Sequence, residues 1–432
     1  MFSKFCQYLK PISISLSPNT EKDDIRLAFK LIFQPWLWKN PLTNSGQVAD
    51  LENEFKKYLG VKYAFSFNSG RSALMAILDS LDLEKDSEVL LQAFTCNAAA
   101  NPIIWSGLKP VYVDCDEKTF NIDIEDLKKK ITLRKSQGKR PKAVMIQHTF
   151  GLPADIDEIL KICQDNNLIL IEDCAHSLGV TYKSKKIGTF GKVAFFSFGR
   201  DKVISSVYGG MAVTNDDELA KRIREYWEKI KYPSYFWIKQ QLLNPILLNW
   251  AIIPTYRFFG KYIFILLQEL KILSKAVHIK EKRGEKPDCF PKRLPNALAI
   301  LASNQFKKLE KFNSHRKEIA EFYRKELKGT FFELPPEGEQ IYLRFTVKHP
   351  KAHEIIRKAW KNNLLLGDWY ALPIAPGYSK LEKLKHNLKE EIGKVKNCPK
   401  AEKLAKMTLN LPTHINISKK DAQKIIKFLK ET

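Results

Sequence analysis

The chain has 432 residues, of which 44% are hydrophobic and 28% charged, with 19 glycines and 21 prolines. This composition excludes a collagen-like, low-complexity or disordered protein, and the length predicts one large domain with a smaller second one. The 72 lysines and arginines outnumber the 48 acids, and the resulting charge of +24 favours anionic partners such as nucleic acid, a lipid surface or phosphorylated metabolites.

The seven cysteines are odd in number and widely spaced, and no two of them form a CxxC pair. They predict neither a disulfide framework nor a zinc site. We therefore expect reduced thiols and no bound metal. The first ten residues are not followed by a long apolar segment, so we do not expect a cleaved secretory signal. The sequence therefore predicts a cytoplasmic protein.

Short apolar, β-branched runs alternate with helical patterns from about residue 61 to residue 214. This alternation is typical of βα units and predicts an α/β fold with a mainly parallel sheet. The predicted strands are 63–67, 88–92, 110–114, 143–147, 169–173, 193–198 and 210–214. Helical patterns between them predict helices over 72–81, 124–130 and 155–166.

A hydrophobic segment follows the predicted sheet. Residues 240–256 carry no charge, but Pro245 and Pro254 interrupt them, and 17 residues are at the lower limit for a membrane span. Aromatic residues and the cations Arg257 and Lys261 adjoin the segment, as in segments that lie on a bilayer interface. Two expectations stay open: peripheral membrane contact through 240–256, or burial against the protein itself or a second subunit.

Helical patterns over 296–327 and 419–430 predict a second domain at the C-terminal end. We therefore divide the chain into an N-terminal arm (1–45), a large domain (46–230), a hydrophobic helical insertion (231–277) and a small C-terminal domain (278–432). Residues 127–142 hold eight basic side chains, and this run is interpreted first as a solvated helix end with its loop.

The segment LILIEDCAHSLG, residues 168–179, is the most informative one. Its apolar run predicts a buried parallel strand that ends in Glu172 and Asp173. Open α/β sheets bind ligands at the carboxyl ends of their strands, which places Asp173 where a cofactor is expected. The alternative is that Asp173 only caps the next helix.

The segment VAFFSFGRDKVISSVYGG, residues 193–210, weighs against simple capping. An apolar strand there leads into a loop with Ser197, Arg200 and Lys202, and charges clustered after a core strand are difficult to explain by packing. A lysine and an acid at neighbouring strand ends meet the needs of pyridoxal 5'-phosphate. This cofactor requires an amine for a Schiff base and a carboxylate against its pyridinium nitrogen.

The cofactor phosphate also needs a binding site. The segment FNSGRSAL, residues 67–74, supplies a strand, a turn at Ser69 and Gly70, and then a helix whose first N–H groups are free to bind an anion. Arg71 adds a positive charge. The turn alone is common capping chemistry, but it precedes the acid and the lysine in a consistent order.

The order of these motifs resembles the DegT/DnrJ/StrS family of pyridoxal-phosphate-dependent sugar aminotransferases. The likeness covers most of the chain in five ordered stretches: 46–74, 88–123, 147–159, 294–323 and 398–414. The resemblance implies a fold-type-I large domain with a smaller α+β C-terminal domain, and a homodimer with active sites at the subunit interface.

The resemblance also implies roles for individual residues. Lys202 would form the Schiff base, Asp173 would bind the pyridinium nitrogen, and His176 would lie against the ring or near its 3-oxygen. The phosphate would be bound by Ser69, Gly70, Arg71 and Ser197.

Three positions depart from the family pattern, and one of them is Arg71, which stands where threonine is commoner. Cys96 stands where an aromatic residue usually stacks on the cofactor, so the stacking contact is expected from elsewhere or not at all. Cys96 itself is still expected to contact the cofactor. Arg293 stands where many members place an asparagine that reaches the phosphate in the neighbouring subunit.

The function implied is amino transfer from an amino acid, usually glutamate, to a nucleotide-linked keto-sugar for surface polysaccharide or glycolipid synthesis. Two alternatives are a non-catalytic protein of this fold on a membrane or nucleic acid, and an enzyme that acts on amino acids only. Because no zinc-finger, RNP-like or basic-zipper pattern is present, nucleic acid is not expected.

Four further residues are weaker candidates for substrate contact. His148 and His414 are candidates by residue type, although a lone histidine is more often structural. The resemblance implies that Trp369 and Tyr370 approach the substrate.

Overall fold

The computed structural model describes residues 10–39, 46–376 and 397–432. Parts of the predicted N-terminal arm (1–9 and 40–45) and of the predicted C-terminal domain (377–396) lie outside the described residues.

A seven-stranded sheet forms the centre of the large domain. Its strands are β1 (Tyr63–Phe67), β2 (Glu88–Gln92), β3 (Lys109–Val113), β4 (Ala143–Gln147), β5 (Ile169–Asp173), β6 (Val193–Ser197) and β7 (Gly210–Thr214). Their spatial order is β1-β7-β6-β5-β4-β2-β3, and β7 runs antiparallel to both of its neighbours while the other pairs are parallel. The predicted mainly parallel sheet is confirmed, with β3 beginning one residue early and β6 ending one residue early.

Helices cover the sheet on both faces, which explains why its strands are continuous apolar runs. These helices are Gln47–Leu59, Gly70–Ser80, Asn97–Trp105, Ile124–Ser136, Ile156–Asn166 and Asp217–Lys229. The helix predicted to begin at residue 72 begins at Gly70, because the Ser69 hydroxyl accepts the Ser72 N–H at 3.1 Å and caps it. The helix predicted over 124–130 extends to Ser136, where basic side chains in its last turn favour the helix dipole.

The C-terminal part contains its own hydrophobic cluster. Its helices are Leu309–Leu327, Ala352–Lys361, Pro399–Met407 and Lys419–Lys430, and the strands Phe345–Lys348 and Thr408–Leu411 pair antiparallel. Tyr323, Phe345 and Ile425 are central members of this cluster. The preceding helix, Asn296–Phe306, packs instead in the core of the large domain with the helix Gln47–Leu59.

The N-terminal segment crosses between these parts. Ile12–Ser13 pairs parallel with Leu364–Leu365 of the small domain. The helix Lys22–Ile32 packs on the helix Tyr235–Leu247, with Ala28 and Leu242 both fully buried. The arm is therefore part of the folded body rather than a separate extension.

The hydrophobic insertion is helical, as predicted from its composition. The helix Tyr235–Leu247 is followed by the π-helical turns Leu248–Ile252 and Tyr256–Gly260 and by the helix Lys261–Glu269. The two turns cross closely, since a Cβ on Gly260 would lie 2.2 Å from the Ile252 carbonyl oxygen.

Residues 240–256 are largely buried, which favours the second of the two expectations for this stretch. Most of its side chains pack inside the protein, and Trp250, 57% exposed, is its large apolar side chain on the surface. Burial against the protein's own body is therefore the interpretation that the structure supports. Among the described residues, no helix combines the length and the apolar character that a membrane crossing requires.

Candidate active site

A cavity of about 500 Å³ lies at the carboxyl ends of the parallel strands, where α/β sheets bind ligands. Eight of the nine residues predicted to bind the cofactor line it. These are Ser69, Gly70, Arg71, Cys96, Asp173, His176, Ser197 and Lys202. The strand order explains their convergence, because β1, β5 and β6 end at the same edge of the sheet. All of these residues except Cys96 lie at the ends of these three strands or just after them.

Arg293 is the exception. Its Nε donates to the Trp227 carbonyl oxygen at 2.9 Å, and its guanidinium lies 4.1 Å from the centre of the Trp227 ring. The side chain does not line the cavity of its own chain. Its predicted contact, which is with the neighbouring subunit, stays a prediction.

The turn at Ser69 and Gly70 is packed between two other strands. A Cβ on Gly210 would lie 2.5 Å from the Gly70 nitrogen, and a Cβ on Gly70 would lie 3.0 Å from the Cβ of Ser197. Glycine is therefore required at both positions for β6 and β7 to approach the turn. The result is a helix start at the cavity wall, with the backbone and the Ser197 hydroxyl next to each other.

Two arginines flank this turn, and they differ in their partners. Arg71 pairs with the buried carboxylate of Glu281 at 2.9 Å and donates to the Ala276 carbonyl oxygen at 3.1 Å. Although burial opposes its charge, Glu281 holds the pKa of Arg71 above its ordinary value. Arg200 bonds the Ser274 hydroxyl, while its buried Nε has no hydrogen-bond partner among the described residues. An unpartnered cationic donor beside a helix start is suited to a phosphate.

Asp173 closes β5 and is almost fully buried. Its Oδ1 accepts the Ala175 N–H at 3.0 Å, and its side chain lines the cavity. The alternative that Asp173 caps a helix is wrong, because a turn and not a helix follows β5. Burial raises the pKa of Asp173, and the Ala175 N–H and the Lys202 ammonium oppose that rise. The carboxyl group therefore lies within electrostatic reach of Lys202.

Lys202 lies in the loop after β6, and a buried polar network holds its backbone. Asn19 donates from Nδ2 to the Lys202 carbonyl oxygen at 2.6 Å, and Arg316 donates to the Val203 carbonyl oxygen at 2.7 Å. Arg316 also donates to Asn19 Oδ1 at 2.8 Å and is itself 0% exposed. This network joins the N-terminal segment and the helix Leu309–Leu327 to the candidate catalytic loop.

His176 is a neutral ring in the cavity wall. The Phe150 N–H donates to its Nδ1 at 3.4 Å, which places the ring proton on Nε2. Burial, and then the charges of Lys202 and Arg344, hold the pKa of His176 far below its usual value. The His176 ring stacks nearly parallel on the Phe150 ring, with 5.8 Å between the two ring centres.

Several cavity residues were not predicted, and Arg344 is the main one. It is nearly buried, bonds Asp201 Oδ2 at 2.7 Å and lies 3.5 Å from the centre of the Trp369 ring. Although burial opposes it, Lys202 and Arg344 hold the pKa of Asp201 below its usual value. An arginine at the start of a buried apolar strand, in the run from Leu343 to Val347, is the signal that could have indicated Arg344.

The weaker candidates divide into two pairs. Trp369 and Tyr370 line the cavity, as the resemblance implied. His148 contacts Glu172 at 3.3 Å, and His414 contacts the Ser13 carbonyl oxygen at 2.8 Å, and neither lines this cavity. The suggested substrate contacts of the two histidines are therefore corrected, because both rings serve buried structural contacts.

Pyridoxal phosphate fits this donor set. An amine and a buried carboxylate line one cavity, and a glycine-packed helix start lies beside the unpartnered Nε of Arg200. Cys96 lies in the wall at the start of the helix Asn97–Trp105, where it is positioned for the contact predicted for it. The cavity volume of about 500 Å³ lies within the range of roughly 300–1,000 Å³ that is usual for binding sites.

Comparisons with known proteins agree with this geometry. The chain is 40% identical over 177 residues to the GDP-perosamine synthase of Caulobacter vibrioides, covering 41% of this chain and 46% of that protein. It is 30% identical over 312 residues to the dTDP-3-amino-3,6-dideoxy-alpha-D-galactopyranose transaminase of Aneurinibacillus thermoaerophilus, covering 71% and 68%. The chain spans about half the length of several curated relatives that it matches.

The solved structures show the same fold. The aminotransferase PseC of Helicobacter pylori superposes with a TM-score of 0.72 at 20% identity, over 98% of this chain and 99% of that one. The predicted fold class is therefore confirmed. The profile of the DegT/DnrJ/EryC1/StrS aminotransferase family matches residues 29–234 and 269–430. Family profile and fold together leave one conclusion: the chain belongs to the DegT/DnrJ/EryC1/StrS aminotransferase family, whose members depend on pyridoxal phosphate.

Proposed function

We propose that this protein moves an amino group from an amino acid, with glutamate as the expected donor, to a nucleotide-linked keto-sugar. The observation that carries the proposal is the convergence of Lys202 and Asp173 in one cavity at the sheet's carboxyl edge. The named relatives support the substrate class, since one is a GDP-perosamine synthase and another a dTDP-aminosugar transaminase. The spore coat polysaccharide protein SpsC of Bacillus subtilis supports a role in surface polysaccharide or glycolipid synthesis.

The residues of the cavity would divide the work of binding the cofactor. Asp173 would hold the pyridine nitrogen in its protonated form, and the cofactor would then supply an electron sink for the donor's α-carbon. Ser69, Gly70 and Ser197 would bind the phosphate through backbone N–H and hydroxyl groups. Arg200 would satisfy its buried Nε there.

Lys202 would act twice. Its amine would bind the cofactor covalently, and after displacement by the donor it would hold the proton removed from the donor's α-carbon. Returning a proton to the acceptor sugar would complete the second half of the exchange. The Asn19 and Arg316 contacts with the backbone at 202–203 would keep the amine in place through both halves.

Arg344 is the group best placed to bind the carboxylate of the amino donor. One of its nitrogens bonds Asp201 and its plane lies on Trp369, so its orientation is fixed. A guanidinium binds a carboxylate through paired N–H donors. The neutral His176 would contribute shape and one N–H rather than charge.

The quaternary assignment rests on the resemblance, and the cellular assignment rests on the cysteine pattern and the absence of a predicted secretory signal. We propose a homodimer in which Arg293 contacts the cofactor phosphate of the neighbouring subunit, and a cytoplasmic location. The divisions at residues 45, 230 and 277 are proposed as domain limits.

The cofactor assignment is tested by borohydride reduction of the purified yellow protein, followed by peptide mapping. We expect the reduced adduct on Lys202, and an adduct on another lysine would overturn the site. Turnover with keto-sugar nucleotides is then compared with turnover on free keto acids. Activity confined to free keto acids would overturn the sugar substrate and leave the cofactor site standing.

A further inference from the structure

The helix Lys261–Glu269 is apolar on two opposite faces. Its inner side chains Ile263, Phe264 and Leu267 pack on the cluster around Leu248 and Ile252. Its other side, which we call the outer face, is exposed to solvent. The outer face comprises Phe258, Tyr262, Ile265, Leu266 and Leu270, which follow helical spacing on one side. Tyr262 is 68% exposed, so this is an open apolar surface rather than a thinly covered core.

A second exposed apolar cluster lies where the insertion meets the N-terminal helix. The ring centres of Trp250 and Phe29 lie 5.4 Å apart, and those of Phe29 and Phe33 lie 5.1 Å apart. All three rings are exposed, and so is Trp36 just beyond them. Monomeric proteins seldom expose apolar side chains in such number on one segment, and such surfaces mark interaction sites.

The charge of the insertion identifies the partner. From residue 229 to residue 268 there are five lysines or arginines and no aspartate or glutamate. Arg257 and Lys261 lie beside the outer face along the chain, are exposed, and form no ion pair with a described carboxylate. Both also line a second pocket together with Trp360 and Trp369. A surface of aromatic and aliphatic side chains bordered by unpaired cations is complementary to an anionic lipid bilayer.

We propose that the outer face, together with the cluster of Phe29, Phe33 and Trp250, docks on an anionic bilayer. The apolar side chains would enter the boundary between headgroups and acyl chains, and Arg257 and Lys261 would bind lipid phosphates. A second copy of this chain is the less favourable occupant. A two-fold interface would bring the cations of both copies together, and these 40 residues contain no acid to oppose them.

One observation separates this surface from the amino transfer reaction. The family profile stops at residue 234 and resumes at 269, so the outer face lies almost wholly between the two matched segments. The segment after it is nevertheless bound to the cavity wall, since Tyr208 donates to the Lys275 carbonyl oxygen at 2.6 Å. Docking would therefore bring the cavity near the membrane surface, where precursors of surface glycans can pass to the next enzyme.

The test is flotation of the full-length protein with vesicles of phosphatidylcholine, alone or mixed with phosphatidylglycerol. We expect binding to the mixed vesicles, and about tenfold weaker binding for the outer-face variant Tyr262→Ser/Leu266→Gln/Leu270→Gln. The charge variant Arg257→Gln/Lys261→Gln is expected to lose binding to a similar extent. Turnover on soluble substrate should stay at the wild-type level in both, because neither set lines the cavity.

Matched controls come from other exposed positions. Phe331→Ser removes an apolar side chain that is 92% exposed elsewhere, and Lys139→Gln/Arg140→Gln removes two cations from the basic loop. Both controls should bind vesicles like the wild type. The proposal is overturned if the wild type does not bind anionic vesicles, or if the basic-loop variant loses binding and the outer-face variant does not. It is also overturned if the outer-face variant binds vesicles like the wild type and differs only in its molecular mass by sedimentation. The last result would assign the face to self-association, and none of the three bears on amino transfer.

Discussion

The cavity wall and the outer face of the insertion depart from ordinary burial in opposite directions. The cavity wall buries the charged side chains Asp173 and Arg344, whereas the outer face exposes the apolar side chains Tyr262 and Leu266 to water. Buried charge and exposed apolar surface both carry a cost for folding unless a partner is present. Each region is suited to something outside the chain: a charged cofactor in one case and, as proposed above, a lipid surface in the other.

The largest effect is expected at the cavity. Replacing Lys202 by alanine should lower amino transfer by at least about a thousandfold, because the chain loses its covalent attachment and its proton carrier together. Circular dichroism should remain that of the wild type. The matched control is Lys192→Ala, which removes a surface lysine paired with Asp216 and should leave the rate unchanged. Wild-type turnover in the Lys202 variant would contradict the assignment.

The next largest effect is expected at Arg344, which also lines the cavity. The change Arg344→Ala should raise the KM for the amino donor by about ten- to a hundredfold, the range that a charged hydrogen bond supports. The KM for the sugar nucleotide should change little, and Arg344→Lys should restore part of the donor affinity. Equal losses for both substrates would indicate a general effect of the broken Asp201 contact.

His414 supplies a buried titratable group outside the cavity. Burial lowers its pKa to about 3, so between pH 6.5 and pH 3 the unfolded state binds more protons than the folded state, and stability falls as the pH falls. The unfolding free energy should lose about 2 kcal/mol from this group between pH 7 and pH 5. Urea titrations of His414→Gln should show a correspondingly flatter dependence, and an unchanged slope would contradict the expectation.

The smallest effect on stability is expected at the outer face. The change Leu266→Gln should alter the free energy of unfolding by no more than about 0.5 kcal/mol, because the side chain is exposed and leaves no cavity. Leu242→Ala, on the buried side of the same insertion, should cost about 2–5 kcal/mol. Similar losses in thermal or urea unfolding would show that the outer face is packed in solution.

Much of the sheet and part of the site are predictable from local sequence. Buried parallel strands are continuous apolar runs, and the polar residues that end them lie at one edge, so Asp173 and Lys202 can be placed together without coordinates. Arg344 and Arg316 are not predictable in this way. They reach the loop of Lys202 from more than a hundred residues further along the chain, and no periodicity connects such distant segments.

The insertion shows a different limit. An apolar run has the same pattern whether protein or lipid covers it, so residues 240–256 could not be assigned from composition alone. In the structure the helix Lys22–Ile32 and the body of the protein cover most of them. The exposed apolar residues lie further on, where charged residues interrupt the sequence pattern and obscure it.

The hydrogen bond from Asn19 to the Lys202 carbonyl oxygen has a practical consequence for anyone preparing this enzyme. A truncated version that starts beyond Asn19 would retain each side chain of the cavity wall, yet the backbone of Lys202 would lose a hydrogen bond that holds it. Shortened preparations would then look inactive for a reason unrelated to substrate choice, and affinity tags are better attached at the opposite terminus.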